Sequence, residues 1–232
     1  MEIIGILIGA AAVLCLVVSA IDCNRFVVRR YEIASPKLKR PCTMVLLSDL
    51  HNKSFGKENE RLLARIDKIA PDAVLIAGDM LTAEKGKDFR NAQALTCALA
   101  KKYKLYYGMG NHEYRLKLYP KQYGPMYETY FAGLEEGKVH PLVNESVMMP
   151  EYNICVCGSE IARCYYKRFK KHPMDEAYLG ELLGKASDNA FQILIAHNPD
   201  YFEEYAAWGA DLVVAGHVHG GIMRLPLLGG VL

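Results

Sequence analysis

Seven candidate metal ligands with oxygen or nitrogen donor atoms lie in short polar segments that are spread along the chain. The segments are Asp49-Leu50-His51, Gly78-Asp79, Gly110-Asn111-His112-Glu113, His197 and Gly216-His217-Val218-His219. Two Asp, one Asn and four His form a mixed ligand set that suits Mn²⁺, Fe or Zn²⁺ better than Ca²⁺ or a thiolate-bound structural zinc. Because seven donors are too many for one tetrahedral ion, a carboxylate shared between two ions is favoured. The pattern indicates a two-metal site of the kind that hydrolases use.

Taken one at a time, these segments are weak indicators of a metal site. An Asp-x-His pair is common without a metal, and the glycine before Asp79 is explained equally well by a turn. The neighbours Asn111 and His112 are more informative, because adjacent side chains project in different directions and one can bind metal while the other faces substrate. The next residue, Glu113, is expected either to orient His112 or to be a solvated carboxylate.

Short apolar runs rich in β-branched residues predict six buried strands. The runs are Thr43 to Leu47, Ala73 to Ala77, Lys104 to Met109, Asn153 to Cys157, Phe191 to Ala196 and Asp211 to Ala215. Four segments with apolar residues at helical spacing lie between these runs. The predicted helices are Lys57 to Ala70, Asn91 to Lys101, Asp175 to Leu183 and Asp200 to Ala207. This alternation predicts an α/β fold with a parallel sheet component.

The donor residues follow the predicted strands closely. Asp49, Asp79 and Asn111 come within a residue or two of strand ends, and His197 and His217 do the same later in the chain. Open α/β sheets collect ligands along the edge formed by the carboxyl ends of their strands. The sequence therefore predicts that the five segments meet at such an edge.

The composition is that of a globular domain. With 232 residues and 51% hydrophobic content, the chain can bury a core without disulfide bonds, and one domain is expected. Its 28 basic and 26 acidic residues nearly cancel, so long-range attraction to a polyanion is excluded as the basis of binding. Seven cysteines without a regular framework indicate reduced thiols in a reducing compartment.

The segment from Ile3 to Ile21 has no charged residue and is long enough, at ~1.5 Å per residue, to cross ~30 Å of hydrocarbon. A membrane anchor is favoured over a buried core helix, and over a cleaved signal peptide because no Lys or Arg precedes the run. Basic residues follow the span, so the positive-inside rule predicts a cytoplasmic location for the rest. The expected organisation is a transmembrane anchor at 1–22, a basic linker at 23–41 and a globular domain at 42–232.

In their types and order, the five polar segments resemble the signature of the calcineurin-like metallophosphoesterase family, over residues 49 to 219. The apolar N-terminal segment and the continuation Gly220-Gly221-x-x-Arg224-Leu225-Pro226 are similar to the membrane-anchored bacterial phosphodiesterase branch. The resemblance implies a four-layer αββα sandwich. Because family members extend beyond this glycine-rich stretch, the C-terminal part of the domain is expected to be missing.

The resemblance also implies a role for each donor residue. One ion is expected on Asp49, His51 and His219, and the other on Asn111, His197 and His217, with Asp79 bridging the two. His112 is expected to contact the phosphate, where it would stabilise developing charge or protonate the leaving oxygen. The implied reaction is in-line attack on phosphorus by a hydroxide bound to two divalent ions, which are Mn, Fe or Zn.

The expected function is that of a phosphodiesterase or pyrophosphatase at the membrane surface, and a lipid-linked substrate is one option. A phosphomonoesterase or a nuclease on the same metal centre is the alternative within enzymes. A non-catalytic metal-binding scaffold is the alternative from another class, and the complete ligand set together with His112 argues against it. The sequence indicates no protein partner.

Overall fold

The computed structural model of the protein describes residues 2–167, 171–219, 223–225 and 229–231. The chain divides into two units, Met1–Ala34 and Ser35–Leu232. The first unit contains helix α1, Glu2–Cys23. The expected membrane anchor is not supported, because none of the helices in the described ranges is both long enough and apolar enough to cross a bilayer. Of the glycine-rich continuation, Gly220, Gly221 and Pro226 lie outside the described residues.

The second unit is built on two four-stranded sheets and a short ribbon. The first sheet contains, in order and all parallel, β1 (Met44–Leu47), β2 (Ala73–Ala77), β3 (Lys104–Gly108) and β4 (Pro141–Leu142). The second contains β5 (Glu145–Met149), β6 (Ile154–Ser159), β7 (Phe191–Ala196) and β8 (Leu212–Val214), in which only β5 runs antiparallel to its neighbour. The ribbon pairs β9 (Met223–Leu225) with β10 (Gly229–Val231). The prediction of an α/β fold with parallel strands is confirmed, and each of the six predicted strands overlaps an observed one.

Helices connect most of these strands. Along the first sheet they are α2 (Glu60–Ile69), α3 (Arg90–Ala100), α4 (Asn111–Leu118), α5 (Pro120–Tyr123) and α6 (Met126–Glu136). Along the second sheet they are α7 (Tyr178–Leu183) and α8 (Phe202–Trp208). The four predicted helices are present, whereas α4, α5 and α6 have no counterpart in the sequence-based prediction.

The two sheets pack against each other through their inward-facing side chains. One apolar cluster contains Leu75 and Tyr106 from the first sheet together with Val156 and Ile193 from the second. A second cluster covers the outer face of the second sheet with residues of α7 and α8. Burial of apolar surface on both faces of a sheet is typical of parallel α/β architecture. The two-sheet arrangement is consistent with the expected αββα sandwich.

Candidate metal centre

The predicted donor residues come together at the carboxyl ends of the strands. Three groups of side chains each have nitrogen or oxygen atoms within 4.8 Å of one another. The groups are Asp49, His51 and His219; His51, Asp79 and His112; and Asp79, His197 and His217. The predicted amide ligand joins the third group, because Oδ1 of Asn111 lies 3.2 Å from Nε2 of His197. All seven predicted ligands and His112 therefore belong to one continuous cluster.

In the first group, two imidazoles face each other. Nε2 of His51 lies 3.1 Å from Nε2 of His219, and the rings are stacked with centroids 4.9 Å apart. Oδ1 of Asp49 lies 3.5 Å from the same nitrogen of His219. Nδ1 of His51 is occupied by a hydrogen bond of 3.2 Å with Thr82 Oγ1, so Nε2 is the nitrogen turned toward the cluster. Two ring nitrogens beside a carboxylate suit a shared cation.

In the third group, the buried imidazole of His197 has a fixed orientation. Its Nδ1 donates to the carbonyl oxygen of Ala77 at 2.6 Å, and a carbonyl can only accept, so Nδ1 carries a proton. Nε2 then points at Oδ2 of Asp79, 3.1 Å away. The His217 ring lies edge-on to that of His197, with centroids 5.3 Å apart. A backbone carbonyl that sets the tautomer is the usual support of a metal-binding histidine.

Without a metal, Asp79 and His197 form a buried ion pair. Burial raises the pKa of Asp79, but the hydrogen bond and charge of His197 outweigh it and lower that pKa to about 2. Burial lowers the pKa of His197, but Asp79 outweighs it and raises that pKa to about 9. Burying a lone carboxylate is costly unless positive charge accompanies it. The pocket is therefore built for positive charge beside Asp79, which fits a divalent cation.

His112 presents a hydrogen-bond donor to the same space. Its Nδ1 accepts the backbone N–H of Ala83 at 2.7 Å, so the proton of the neutral ring is on Nε2. Nε2 lies 3.9 Å from Oδ2 of Asp79. Burial lowers the pKa of His112, and the nearby imidazole of His51 adds to this effect. A neutral ring with its N–H toward the cluster can donate to a phosphoryl oxygen.

Glu113 is fully buried and holds the loops of the centre together, so it is not the solvated carboxylate that the sequence allowed. Its Oε2 accepts the backbone N–H groups of Asp79 (2.9 Å) and Gly110 (3.1 Å). Its Oε1 accepts the N–H of Met80 and the hydroxyl of Tyr107, both at 2.9 Å. Burial, with a contribution from Asp79, raises the pKa of Glu113 to about 7. All four partners donate hydrogen bonds, and the two oxygens of an ionised carboxylate can accept all four.

The backbone at the predicted ligands is strained. Five of them have left-handed φ angles between 48° and 72°, a region that is uncommon for residues other than Gly, although Asn, Asp and His adopt it more often than the rest. The five are Asp49, His51, Asp79, His217 and His219. Hydrogen bonds between neighbouring loops maintain this conformation, from Asp49 N–H to Gly78 O and from His51 N–H to Asp79 O, both at 3.1 Å. Strain of this kind, about 1–3 kcal/mol per residue, is concentrated at functional sites.

The glycine of the Gly-Asn-His-Glu segment is required by close packing. A Cβ on Gly110 would overlap Oδ1 of Asp79, the oxygen that also accepts the backbone N–H of His112 at 2.7 Å. A side chain at position 110 would therefore displace the carboxylate of Asp79, which belongs to two of the three groups of candidate ligands. For Gly78, which the sequence explained equally well by a turn or by close approach, both reasons apply, because its φ is 83° and a Cβ there would overlap the backbone of Gly110.

The sequence matches the model of a protein family described as Calcineurin-like phosphoesterase over residues 43–221. This range contains all eight predicted site residues and most of the second unit. It begins at the residue before β1 and extends past the last predicted ligand.

Three curated relatives illustrate the range of similarity. The uncharacterized metallophosphoesterase Cj0846 of Campylobacter jejuni is 25% identical over 198 residues, which are 84% of this chain and 48% of that protein. The Danio rerio transmembrane protein with metallophosphoesterase domain is 27% identical over 187 residues, 77% of this chain and 40% of that protein. The Escherichia coli phosphodiesterase YaeI is 25% identical over 196 residues, 82% of this chain and 64% of that protein. The chain thus spans half or less of the length of the first two.

Proposed function

The chain belongs to the calcineurin-like phosphoesterase family, and on this basis we propose that it is a two-metal hydrolase of phosphodiesters or pyrophosphates. The observation that carries the proposal is the cluster of donor atoms within 4.8 Å of one another, in which Asp79 belongs to two groups. Hydrolysis of phosphoester bonds follows from the family. The preference for diesters is supported by the similarity to a protein named as a phosphodiesterase. Lipid-linked esters are within the proposed substrate class.

We assign the ligands as the family resemblance implies. Asp49, His51 and His219 would hold one ion, Asn111, His197 and His217 the other, and Asp79 would bridge them. The mixed oxygen and nitrogen donors fit Mn, Fe or Zn. When bound, two such ions supply Lewis-acid polarisation of the phosphoryl oxygens and lower the pKa of water toward neutrality.

The side chains of the protein then have separate tasks. Asp79 supplies the negative charge that both ion positions share, and the Ala77 carbonyl keeps Nε2 of His197 directed at it. His112 donates the hydrogen of Nε2 to a phosphoryl or leaving-group oxygen, since its Nδ1 is held by Ala83. Glu113 keeps the loops that carry Asp79 and Gly110 in register. The proposed chemistry is metal-assisted hydrolysis in which His112 donates a hydrogen bond or a proton to the substrate.

The test compares two chromogenic esters. The full chain is stripped with a chelator, reconstituted with Mn²⁺, and assayed with bis-p-nitrophenyl phosphate and with p-nitrophenyl phosphate. We expect Mn²⁺-dependent cleavage with the diester as the better substrate. Faster cleavage of the monoester would favour a phosphomonoesterase. No cleavage of either ester with two ions bound per chain would favour the non-catalytic scaffold.

We also propose that the second unit works in the cytoplasm. The support is chemical: the seven cysteines follow no regular disulfide framework in the sequence, and none of them is paired in the structure. Free thiols persist in a reducing compartment. A C-terminal fusion to alkaline phosphatase, which is active only after export, should be inactive in bacteria, and a fluorescent-protein fusion should be bright. An active phosphatase fusion would refute this location.

A further inference from the structure

One of the four histidines among the predicted ligands differs from the others in how its imidazole is held. Nδ1 of His51 has a partner in Thr82, and Nδ1 of His197 has one in the carbonyl oxygen of Ala77. Neither ring nitrogen of His217 has a hydrogen bond to another described residue. A metal-binding histidine almost always has such a partner on its second nitrogen. The orientation of the His217 ring therefore depends on what packs against it.

Two aromatic rings pack against the imidazole of His217. The ring of Tyr166 has its centroid 5.5 Å away and is inclined by 73°, and the ring of His197 has its centroid 5.3 Å away and is inclined by 66°. Edge-to-face arrangements at centroid distances of about 4.5–7 Å are a favoured geometry of aromatic pairs. Tyr166 also lies 6.2 Å from the ring of His197. It is thus beside two of the three residues assigned to the second ion alone.

A hydrogen bond attaches the loop of Tyr166 to the loop of a predicted ligand. The segment after β6 contains a short 3₁₀ turn, Arg163–Tyr166. Within this turn, the carbonyl oxygen of Tyr165 accepts a hydrogen bond of 2.8 Å from the side-chain amide of Asn198, the residue after His197. Asn198 is buried, so water does not compete for this bond. The ring of Tyr166 therefore has a fixed place beside the centre.

We propose that Tyr166 is a positioning residue for the second ion, whose ring holds the imidazole of His217 in the orientation that binds metal. This inference rests on the proposed function. The backbone of His217 is fixed separately, because its N–H donates to both carboxylate oxygens of Asp49 at 3.0 Å. Loss of the Tyr166 ring should therefore free the imidazole without displacing the loop. Binding of the second ion should weaken, and binding of the first should not.

The test replaces the aromatic ring by an aliphatic side chain. The full chain with Tyr166→Leu is stripped with a chelator and titrated with Mn²⁺ by isothermal titration calorimetry. We expect the affinity for the second ion to fall about 10–100-fold, the range for residues that orient a ligand. Electron paramagnetic resonance gives an independent readout. At a Mn²⁺ concentration that produces the spectrum of a coupled pair in the wild type, Tyr166→Leu should give the spectrum of single ions.

Matched variants separate the ring from other effects. Tyr166→Phe keeps the ring and loses only the hydroxyl, so it should retain the wild-type affinity for both ions. Tyr165→Leu removes the neighbouring ring, which packs edge-on against Tyr178 and Tyr201 instead of a predicted ligand, and it should also retain both affinities. Circular dichroism in chelator establishes that each variant is folded. If Tyr166→Leu does not fold, Tyr166→Ile repeats the test.

Three results would overturn the inference while the proposed function stands. They are wild-type affinity for both ions in the folded ringless variant, an equal loss of affinity for both ions, and an equal loss in Tyr166→Phe or Tyr165→Leu. A wild-type protein that binds fewer than two Mn²⁺ ions would instead refute the proposed function, and the inference with it.

Discussion

His112 and Asp79 differ in what their removal should do, although they lie in the same cluster. His112→Ala removes a hydrogen-bond donor that is not a predicted metal ligand, since its Nδ1 accepts the N–H of Ala83. Both metal ions should therefore stay bound. We expect kcat to fall about 10²–10⁴-fold, the usual contribution of a positioned acid or base. Asp79→Ala should lose metal and activity together. Metal content by mass spectrometry, measured beside the rate, separates the two cases, and full activity in His112→Ala would refute its assigned role.

Glu113 is predicted to matter for stability. In Glu113→Gln, the amide nitrogen would face at least one of four buried donors, which leaves that donor unpaired. We expect the free energy of unfolding to fall by about 2–3 kcal/mol. Urea denaturation in the presence of chelator measures this without a metal contribution. Glu135→Gln, at an exposed position of α6, should change stability by no more than about 0.5 kcal/mol. Equal stability of the two variants would contradict the role of Glu113.

Residue types and spacing were enough to predict which side chains come together, because metal coordination needs donor atoms that are visible in a sequence; the assignment of these side chains as ligands stays a prediction. The supporting residues were not predictable. Glu113 is an ordinary acidic residue in the sequence, and only its tertiary surroundings distinguish it from a solvated side chain. The same holds for Thr82 and Ala83, whose bonds to His51 and His112 set which ring nitrogen faces the cluster.

At the scale of elements, the loops after the strands fit together tightly. Gly216 precedes His217, and its N–H donates to the carbonyl oxygen of His197 at 3.0 Å. A Cβ on Gly216 would overlap the side chains of Ser48 and Asp49, so the loop after β8 can approach the loop after β1 only through a glycine. The carboxylate of Asp49 also accepts the N–H of His217 at 3.0 Å. The proposed position of the first ion therefore depends on contact between the loops of the two sheets.

Gly216→Ala should weaken metal binding without unfolding the protein. Displacement of Asp49 is expected to lower Mn²⁺ affinity about 10–100-fold, the range for residues that orient a ligand. Isothermal titration calorimetry checks this. The matched control is Gly180→Ala on α7, where a Cβ would meet nothing within 4 Å, and it should keep Mn²⁺ affinity and gain about 0.5–1 kcal/mol in stability. Unchanged Mn²⁺ affinity in Gly216→Ala would show that the loops after β1 and β8 can move apart without displacing Asp49.

The strands that precede the predicted ligands were predictable, because each is a short run of mainly apolar residues. The expectation that all of them are buried holds for β2 and β7 and is wrong for β1, which has no buried residue. The strands β4 and β5 were not predictable, for different reasons. β4 has two residues and starts with Pro141, so it has no periodic pattern. Four of the five residues of β5 are exposed, as an edge strand allows. Helix α4 was missed because its first turn consists of site residues and its surface shows no clear apolar stripe.

At the scale of the whole molecule, the predicted ligands come from both sheets, so bound metal should stabilise the fold. At 100 times the dissociation constant, a ligand bound to the native state alone adds about 2.7 kcal/mol, which corresponds to a rise in Tm of about 5–10 °C for a chain of this size. Thermal unfolding monitored by circular dichroism, with chelator and then with Mn²⁺, measures this. Asp79→Ala should show no rise. A wild-type Tm that does not change when Mn²⁺ is added would contradict a metal centre with ligands from both sheets.

The order of the ligands along the chain bears on how the protein is made. In the proposed assignment each ion needs a residue from the loop after β8, His219 for one and His217 for the other, while the remaining ligands come earlier in the sequence. A nascent chain can thus fold its first sheet long before either ion has a complete set of ligands. In this assignment neither ion has its full set of ligands until residue 219 has left the ribosome, so we expect tight metal binding only after the loops of both sheets have met.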